Sequence, residues 1–187
     1  MFLYESALVN PMRVTLATVL TSVRLFLILP ILILFSINPV LALVLLVIAI
    51  VTDTLDGIIA RKTNTITKLG TFLDHFADKI LVHTVLLYFV ATQGLSAIAF
   101  GIFVIRDFLV LGIRHLATQK GKEIPSMLLG KIKFIGQSAL LILLALSLAF
   151  PAWWLLVATE VVLWMSVVLA VVSAFQILSK GWPALRE

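Results

Sequence analysis

Long apolar stretches alternate with short polar connections along the chain, and this pattern sets the expectation for its fold. Each stretch is near or above the roughly 20 residues that a helix needs to cross the apolar core of a bilayer. The pattern predicts an all-α integral membrane protein whose six transmembrane helices cover residues 14–35, 39–60, 70–92, 95–116, 131–150 and 152–178.

The first twelve residues carry a different pattern. They mix apolar and polar side chains and are too short to span a bilayer. We expect them to form a short amphipathic helix at the membrane interface rather than a signal peptide. The predicted organisation is an interfacial segment over residues 1–12 and one six-helix domain over residues 13–187.

Composition supports the membrane interpretation. Of the 187 residues, 62% are hydrophobic and only 12% are charged, which is more apolar than a folded soluble domain tolerates. The net charge of +5 is then better explained by membrane topology than by nucleic-acid binding. The chain has no cysteine, which excludes disulfides, thiolate metal ligands and a cysteine nucleophile.

Basic residues concentrate on one side of the predicted bundle. Ten of the fourteen lie at Arg13 and within residues 61–68, 120–133 and 180–186, whereas the opposite connections have no Lys or Arg. Because basic loops stay in the cytoplasm, both termini are predicted to be cytoplasmic. The protein is then a multi-pass protein of the cytoplasmic (inner) membrane.

An acidic cluster lies at the junction of the second and third predicted helices, at a depth where ionisable side chains are costly. Four of the nine acidic residues fall within 26 positions, at Asp53, Asp56, Asp74 and Asp78. Because residues three or four apart share a helix face, each helix presents one acidic pair, and the two pairs match in depth. Small residues share these faces and leave room for a ligand. They are Gly57, Ala60 and Gly70.

Four converging carboxylates would repel one another in a low-dielectric site unless a cation neutralised them. Two divalent ions are the simplest answer, and oxygen ligands without cysteine or paired histidine favour Mg²⁺ or Mn²⁺ over zinc. The loop cations Arg61 and Lys62 would then meet a phosphate entering from the cytoplasm. Two other interpretations stay open from the residues alone. The acids could pair with Lys79, Arg106 or Arg114 to hold the bundle together, or line a cation or proton pathway.

The spacing of these residues resembles the signature of the CDP-alcohol phosphatidyltransferase family. The matching positions are Asp53, Asp56, Gly57, Ala60, Arg61, Gly70, Asp74 and Asp78. The resemblance implies a displacement on phosphorus, in which an alcohol hydroxyl attacks the β-phosphate of a CDP-linked lipid and releases CMP. It also implies six helices, an active site facing the cytoplasm, and a homodimer.

The resemblance also implies a role for each matching residue. The ligands of a two-metal site holding Mg²⁺ or Mn²⁺ would be Asp53, Asp56, Asp74 and Asp78. Asp78, near the second metal, would in addition be the catalytic general base toward the acceptor hydroxyl. The CDP-binding pocket would be formed by Gly57, Ala60, Arg61 and Gly70.

Further segments resemble one branch of the family, the bacterial phosphatidylglycerol-phosphate synthases. They include GTFLDHFADK at residues 70–79, IRDFLVLGIR at residues 105–114, and GKIK at residues 130–133 with the following Gln137. The chain departs from that branch's usual pattern at Thr18, Pro30, His75, Asp107 and Phe134. This resemblance implies CDP-diacylglycerol as donor and sn-glycerol 3-phosphate as acceptor. Another enzyme of the family, such as a cardiolipin synthase, is the alternative, and a metal-ion carrier is the non-enzymatic one.

Three basic residues are candidates for binding the acceptor phosphate. Arg114 lies near the cytoplasmic end of the fourth predicted helix, while Lys131 and Lys133 open the fifth, so all three can gather at the cytoplasmic mouth. Alternatively, the two lysines contact anionic lipid headgroups. Arg106 is deeper, and we interpret it as a counter-charge for carboxylates. Glu160, in the outer half of the sixth helix, has no predicted role beyond an interhelical or subunit contact.

Overall fold

A computed structural model describes the backbone of residues 16–62, 68–119 and 128–186, and within these the side chains of Val23 and residues 25–52, 76–119, 128–130 and 132–179. Across the described ranges the chain is α-helical and contains no strand. The helices are α1 (Leu16–Ile37), α2 (Pro39–Lys62), α3 (Lys68–Gln93), α4 (Ala97–Gln119), α5 (Leu128–Ala149) and α6 (Trp153–Arg186). The predicted interfacial segment, residues 1–12, lies outside the described residues.

Short connections join α1 to α2, α3 to α4 and α5 to α6. Capping residues explain the positions of the first two. The side-chain oxygen of Asn38 accepts a hydrogen bond from the Leu41 amide at 3.1 Å and caps α2, whose first residue is Pro39. Gly94 ends α3 with a φ of 70°, a conformation that favours glycine. Ser96 then caps α4, because its hydroxyl accepts from the Ala99 amide at 3.3 Å.

Helix positions agree with the predicted ones to within a few residues, with one larger difference at the C-terminus. The predicted sixth helix ends at residue 178, whereas α6 continues to Arg186 and is 34 residues long. Pro30 lies inside α1 without ending it. The predicted all-α fold is confirmed for the described residues.

The helices pack around one apolar core, to which all six contribute. Its largest fully buried side chains are Ile31, Leu46, Leu86, Phe89, Phe103, Leu140, Leu141 and Leu163, with Phe35 at 2% exposure beside them. Within it the ring of Phe35 stacks on Tyr88, with centroids 5.1 Å apart. Helices α5 and α6 approach closely at Gly136, where an added Cβ would lie 3.1 Å from Ser166 Oγ. Small residues at such crossings are typical of helices packed in membranes.

Large apolar side chains also cover the outside of the bundle. Phe26, Ile98, Trp153 and Phe175 are each more than 70% exposed, which a protein surrounded by water would avoid on this scale. Among the described residues, two helical segments have the length and apolar composition to cross a bilayer, Leu128–Ala149 and Trp153–Ser179. Leu25–Ile37 and Pro39–Thr52 are shorter apolar segments. This architecture is consistent with a membrane protein.

Candidate active site

The two predicted acidic pairs lie in helical segments on either side of one short connection. Asp53 and Asp56 belong to the last turns of α2, and Asp74 and Asp78 belong to the first turns of α3. Their spacings of three and four residues therefore place each pair on one helix face. The backbone is therefore helical at the four positions, as the predicted ligand set requires.

Most side chains of this predicted site lie outside the described residues. They are Asp53, Asp56, Gly57, Ala60, Arg61, Gly70, Asp74 and Lys131. The described side chains alone contain no group of three histidine or acidic residues close enough to share a metal ion. The predicted roles of these residues stay predictions.

Asp78 is the one predicted metal ligand whose side chain is described. Its carboxylate is largely buried, 18% exposed, and its Oδ2 lies 3.2 Å from the Nζ of Lys79. Pairing with Lys79 was one of the alternatives open from the sequence, and for this aspartate the contact is present.

A buried polar network lies next to this pair, centred on Asp107 of α4. The carboxylate of Asp107 accepts hydrogen bonds from Lys133 Nζ at 2.8 and 2.9 Å and from Arg106 Nη1 at 2.8 Å. Asp107 and Lys133 are only 2% and 1% exposed. Lys133 also donates to the side-chain oxygen of Gln137, one turn along α5. Because unpaired charges are costly to bury, these groups stabilise the bundle only as a set.

Lys79 connects the network to the predicted catalytic residue. Its Nζ lies 3.7 Å from Asp107 Oδ2 and 3.2 Å from Asp78 Oδ2, so it bridges the two carboxylates. The Nε2 of His83 lies 3.8 Å from the same Asp107 oxygen. On the other side, Arg106 Nε donates to Ser173 Oγ at 3.1 Å and ties α4 to α6. Four helices therefore contribute to one polar layer beside Asp78.

The candidate acceptor-binding residues have different surroundings. Lys133 is enclosed, since Asp107 and Gln137 accept its hydrogen bonds. Arg114 is partly buried, and its buried Nε has no hydrogen-bond partner among the described residues. It lies seven residues after Asp107, about 10 Å farther along the same face of α4. The Nε–H group of Arg114 is thus available to donate a hydrogen bond to a ligand.

Sequence reasoning identified Arg106 as a counter-charge, and its contact with Asp107 confirms that interpretation. It missed the centre of the network, Asp107, which it noted only as a departure from the usual pattern. A signal was available: an acidic residue within an apolar helix needs a partner, and Lys133 is the basic residue near the matching depth of α5.

We expect Asp107→Asn to lower the free energy of unfolding by about 3 to 5 kcal/mol, because it leaves Lys133 buried without a counter-charge. Lys133→Met should cost less, since Asp107 retains Arg106 at 2.8 Å and Lys79 at 3.7 Å. The measurement is thermal or denaturant unfolding of the purified variants in one detergent. Equal losses in the two variants would contradict the asymmetry read from the contacts.

Comparison with known proteins agrees with the signature in α2 and α3. The family model described as CDP-alcohol phosphatidyltransferase matches residues 14–172. A Bacillus subtilis protein named CDP-diacylglycerol–glycerol-3-phosphate 3-phosphatidyltransferase is 36% identical over 149 residues, covering 76% of this chain and 74% of its own length. Rickettsia typhi and Treponema pallidum proteins of the same name are 34% and 32% identical, covering 83% and 73% of this chain and 90% and 67% of their own lengths. These similarities confirm the resemblance, and the chain belongs to the CDP-alcohol phosphatidyltransferase family.

Proposed function

We propose that the protein transfers the phosphatidyl group of CDP-diacylglycerol to sn-glycerol 3-phosphate, giving phosphatidylglycerol phosphate and CMP. The observation that carries this proposal is the family match over residues 14–172, which contains the four aspartates in the last turns of α2 and the first turns of α3. The similar proteins from Bacillus subtilis, Rickettsia typhi and Treponema pallidum are all named for this reaction.

A divalent metal pair, Mg²⁺ or Mn²⁺, would be held by the aspartates of α2 and α3. When bound, it would neutralise the diphosphate of the donor and stabilise the charge on departing CMP. The donor set is all carboxylate, which suits hard cations. The ligands proposed are Asp53, Asp56, Asp74 and Asp78.

Asp78 is proposed to accept the proton of the acceptor hydroxyl. A new bond then forms between that oxygen and the β-phosphorus, while the bond from phosphorus to the bridging oxygen of CMP breaks. The contact with Lys79 supports this role, because a fixed cation 3.2 Å away orients the carboxylate and, through Asp107, anchors it to the buried network. The cytidine and its phosphate would lie against Gly57, Ala60, Arg61 and Gly70.

The acceptor phosphate is proposed to bind Arg114, Lys131 and Lys133. The unpartnered Nε of Arg114 supports this assignment. The described charges support it too, since the three cations Lys79, Arg106 and Lys133 are paired with only two described carboxylates, those of Asp78 and Asp107. Lys133 already donates hydrogen bonds to Asp107. We therefore expect Lys133 to attract the phosphate by its charge rather than by a direct hydrogen bond.

The membrane arrangement is proposed in the same way. Helices of 22 to 34 residues are long enough to cross a bilayer, and basic residues concentrate on the side that carries both chain ends. We therefore propose six spans in the cytoplasmic membrane, with both termini and the active site facing the cytoplasm. A homodimer is expected from the family, and light scattering of the detergent-solubilised protein would check it.

Two assays of the purified protein, CMP release and metal flux into vesicles, separate the alternatives. CMP release should require CDP-diacylglycerol, a divalent metal and sn-glycerol 3-phosphate together, and chelation should abolish it. CMP release with phosphatidylglycerol as the preferred acceptor would favour a cardiolipin synthase. Metal flux into vesicles without CMP release under any of these conditions would favour a carrier and contradict the proposal.

A further inference from the structure

A cavity of about 490 Å³ lies at the end of the bundle opposite the acidic cluster. It is formed by the last turn of α3, the α3–α4 connection, the end of α5 and the first two turns of α6. Gln93, which lines it, is about 22 Å along α3 from Asp78 at 1.5 Å per residue. The cavity is therefore separate from the proposed active site.

The wall of this cavity combines apolar side chains with one carboxylate. Most of its wall is apolar, including Leu95, Leu144 and Leu156, and its one charged lining residue is Glu160. Among the described residues, no Lys or Arg lines the cavity and no ion pair involves Glu160. Glu160 is an exposed residue, so its carboxylate is accessible to a ligand that enters the cavity. The cavity therefore offers a negative charge that the described part of the protein does not neutralise.

Aromatic side chains line the cavity, and exposed apolar side chains of α6 lie next to it. Trp153 lines the cavity and is 78% exposed, while the buried ring of Phe89 closes another side. An ammonium group beside a carboxylate and an indole face gains both ionic and cation–π attraction. Beyond Glu160, the side chains of Val161, Met165 and Val168 are more than 50% exposed and follow one face of α6 away from the cavity. This surface suits an acyl chain.

We propose that this cavity binds the headgroup of an aminophospholipid, with its ammonium group at Glu160 and an acyl chain along the exposed face of α6. Charge complementarity selects the cationic amine over the headgroup of an anionic lipid, because the described lining contains a carboxylate and no basic side chain. A volume of 490 Å³ is within the range of small-molecule sites and accommodates a phosphoethanolamine group. The site is independent of the proposed reaction.

Native mass spectrometry of the detergent-solubilised full chain tests this proposal. The probes are phosphatidylethanolamine and phosphatidylglycerol with identical acyl chains, titrated against wild-type protein, Glu160→Gln and the charge-matched control Glu187→Gln. We expect wild type and the control to prefer phosphatidylethanolamine at least about 10-fold, and Glu160→Gln to lose the preference. CMP release should be unchanged in Glu160→Gln, which shows that this variant is folded whether or not the acceptor assignment holds.

Two further arms complete the test. Trp153→Ala should weaken phosphatidylethanolamine binding several-fold with no change in phosphatidylglycerol binding, as expected for loss of a cation–π contact. Free ethanolamine should not displace the lipid at equal concentration, since the acyl contacts are then missing. Equal binding of the two lipids by wild type, an unchanged preference in Glu160→Gln, or displacement by ethanolamine would each overturn the proposal.

Discussion

Replacing Asp53, Asp56 or Asp74 by Asn should lower turnover by at least about 1000-fold, equivalent to about 4 kcal/mol of transition-state stabilisation. Each substitution removes one negative oxygen donor from the proposed metal pair, whose charge stabilisation is worth several kcal/mol. The fold should survive, because neutralising one of several crowded carboxylates relieves repulsion in the metal-free site. CMP release under saturating substrates and metal, together with the unfolding temperature, measures both expectations.

The matched control for these variants is Glu160→Gln, which removes an acidic residue of α6 at the other end of the bundle. It should retain full turnover. Near-normal turnover in any of the three aspartate variants would contradict that residue's assignment as a metal ligand. Unfolding of a variant at the assay temperature would instead assign the residue to the structural interpretation, in which the acids hold the helices together.

Replacing Arg114 by Gln should raise the Michaelis constant for sn-glycerol 3-phosphate by about 5-fold to 150-fold, and that for CDP-diacylglycerol much less. A small dianion gains most of its binding energy from charge-assisted hydrogen bonds, each worth about 1 to 3 kcal/mol. The unpartnered Nε of Arg114 means that the substitution breaks no hydrogen bond of that atom within the described protein. A two-substrate kinetic series separates the two constants.

Lys133→Gln is a less direct probe of the same pocket, because Lys133 also holds Asp107. We expect it to raise the acceptor constant and to lower stability together. Lys180→Gln removes a basic residue near the C-terminus and serves as the charge-matched control, with no change in either constant. An unchanged acceptor constant in both Arg114→Gln and Lys133→Gln would contradict the phosphate-binding assignment and leave the family assignment intact.

The helices could be predicted closely because apolar length is a strong signal in a chain with few charges. The connections near Asn38 and Gly94 also carry clear punctuation, a cap before Pro39 and a glycine with positive φ. The end of α6 could not be predicted in this way. Lys180 and the residues after it are polar enough to end an apolar span, yet polarity does not end a helix, and α6 continues to Arg186.

In the candidate site, too, local spacing identified some residues, whereas contacts that depend on helix packing were missed. The aspartates were identifiable for two reasons: their spacing places each pair on one helix face, and several carboxylates together are typical of a metal site. The pairing of Asp107 with Lys133 depends on how α4 and α5 pack, because the partners are 26 positions apart on different helices. Their similar depth makes the pair possible, but no pattern within either helix selects it. Arg106, adjacent to Asp107, was assigned correctly as a counter-charge because an arginine within an apolar helix must find an anion.

The identity of the lipid product tests the central claim most directly. Purified protein should be given CDP-diacylglycerol, Mg²⁺ and an equimolar mixture of sn-glycerol 3-phosphate, glycerol and phosphatidylglycerol, with the products resolved by mass spectrometry. We predict phosphatidylglycerol phosphate as the main product, formed in a one-to-one ratio with CMP and absent when Mg²⁺ is chelated. Cardiolipin or phosphatidylglycerol as the main product, or lipid transfer that persists without a divalent metal, would contradict the account.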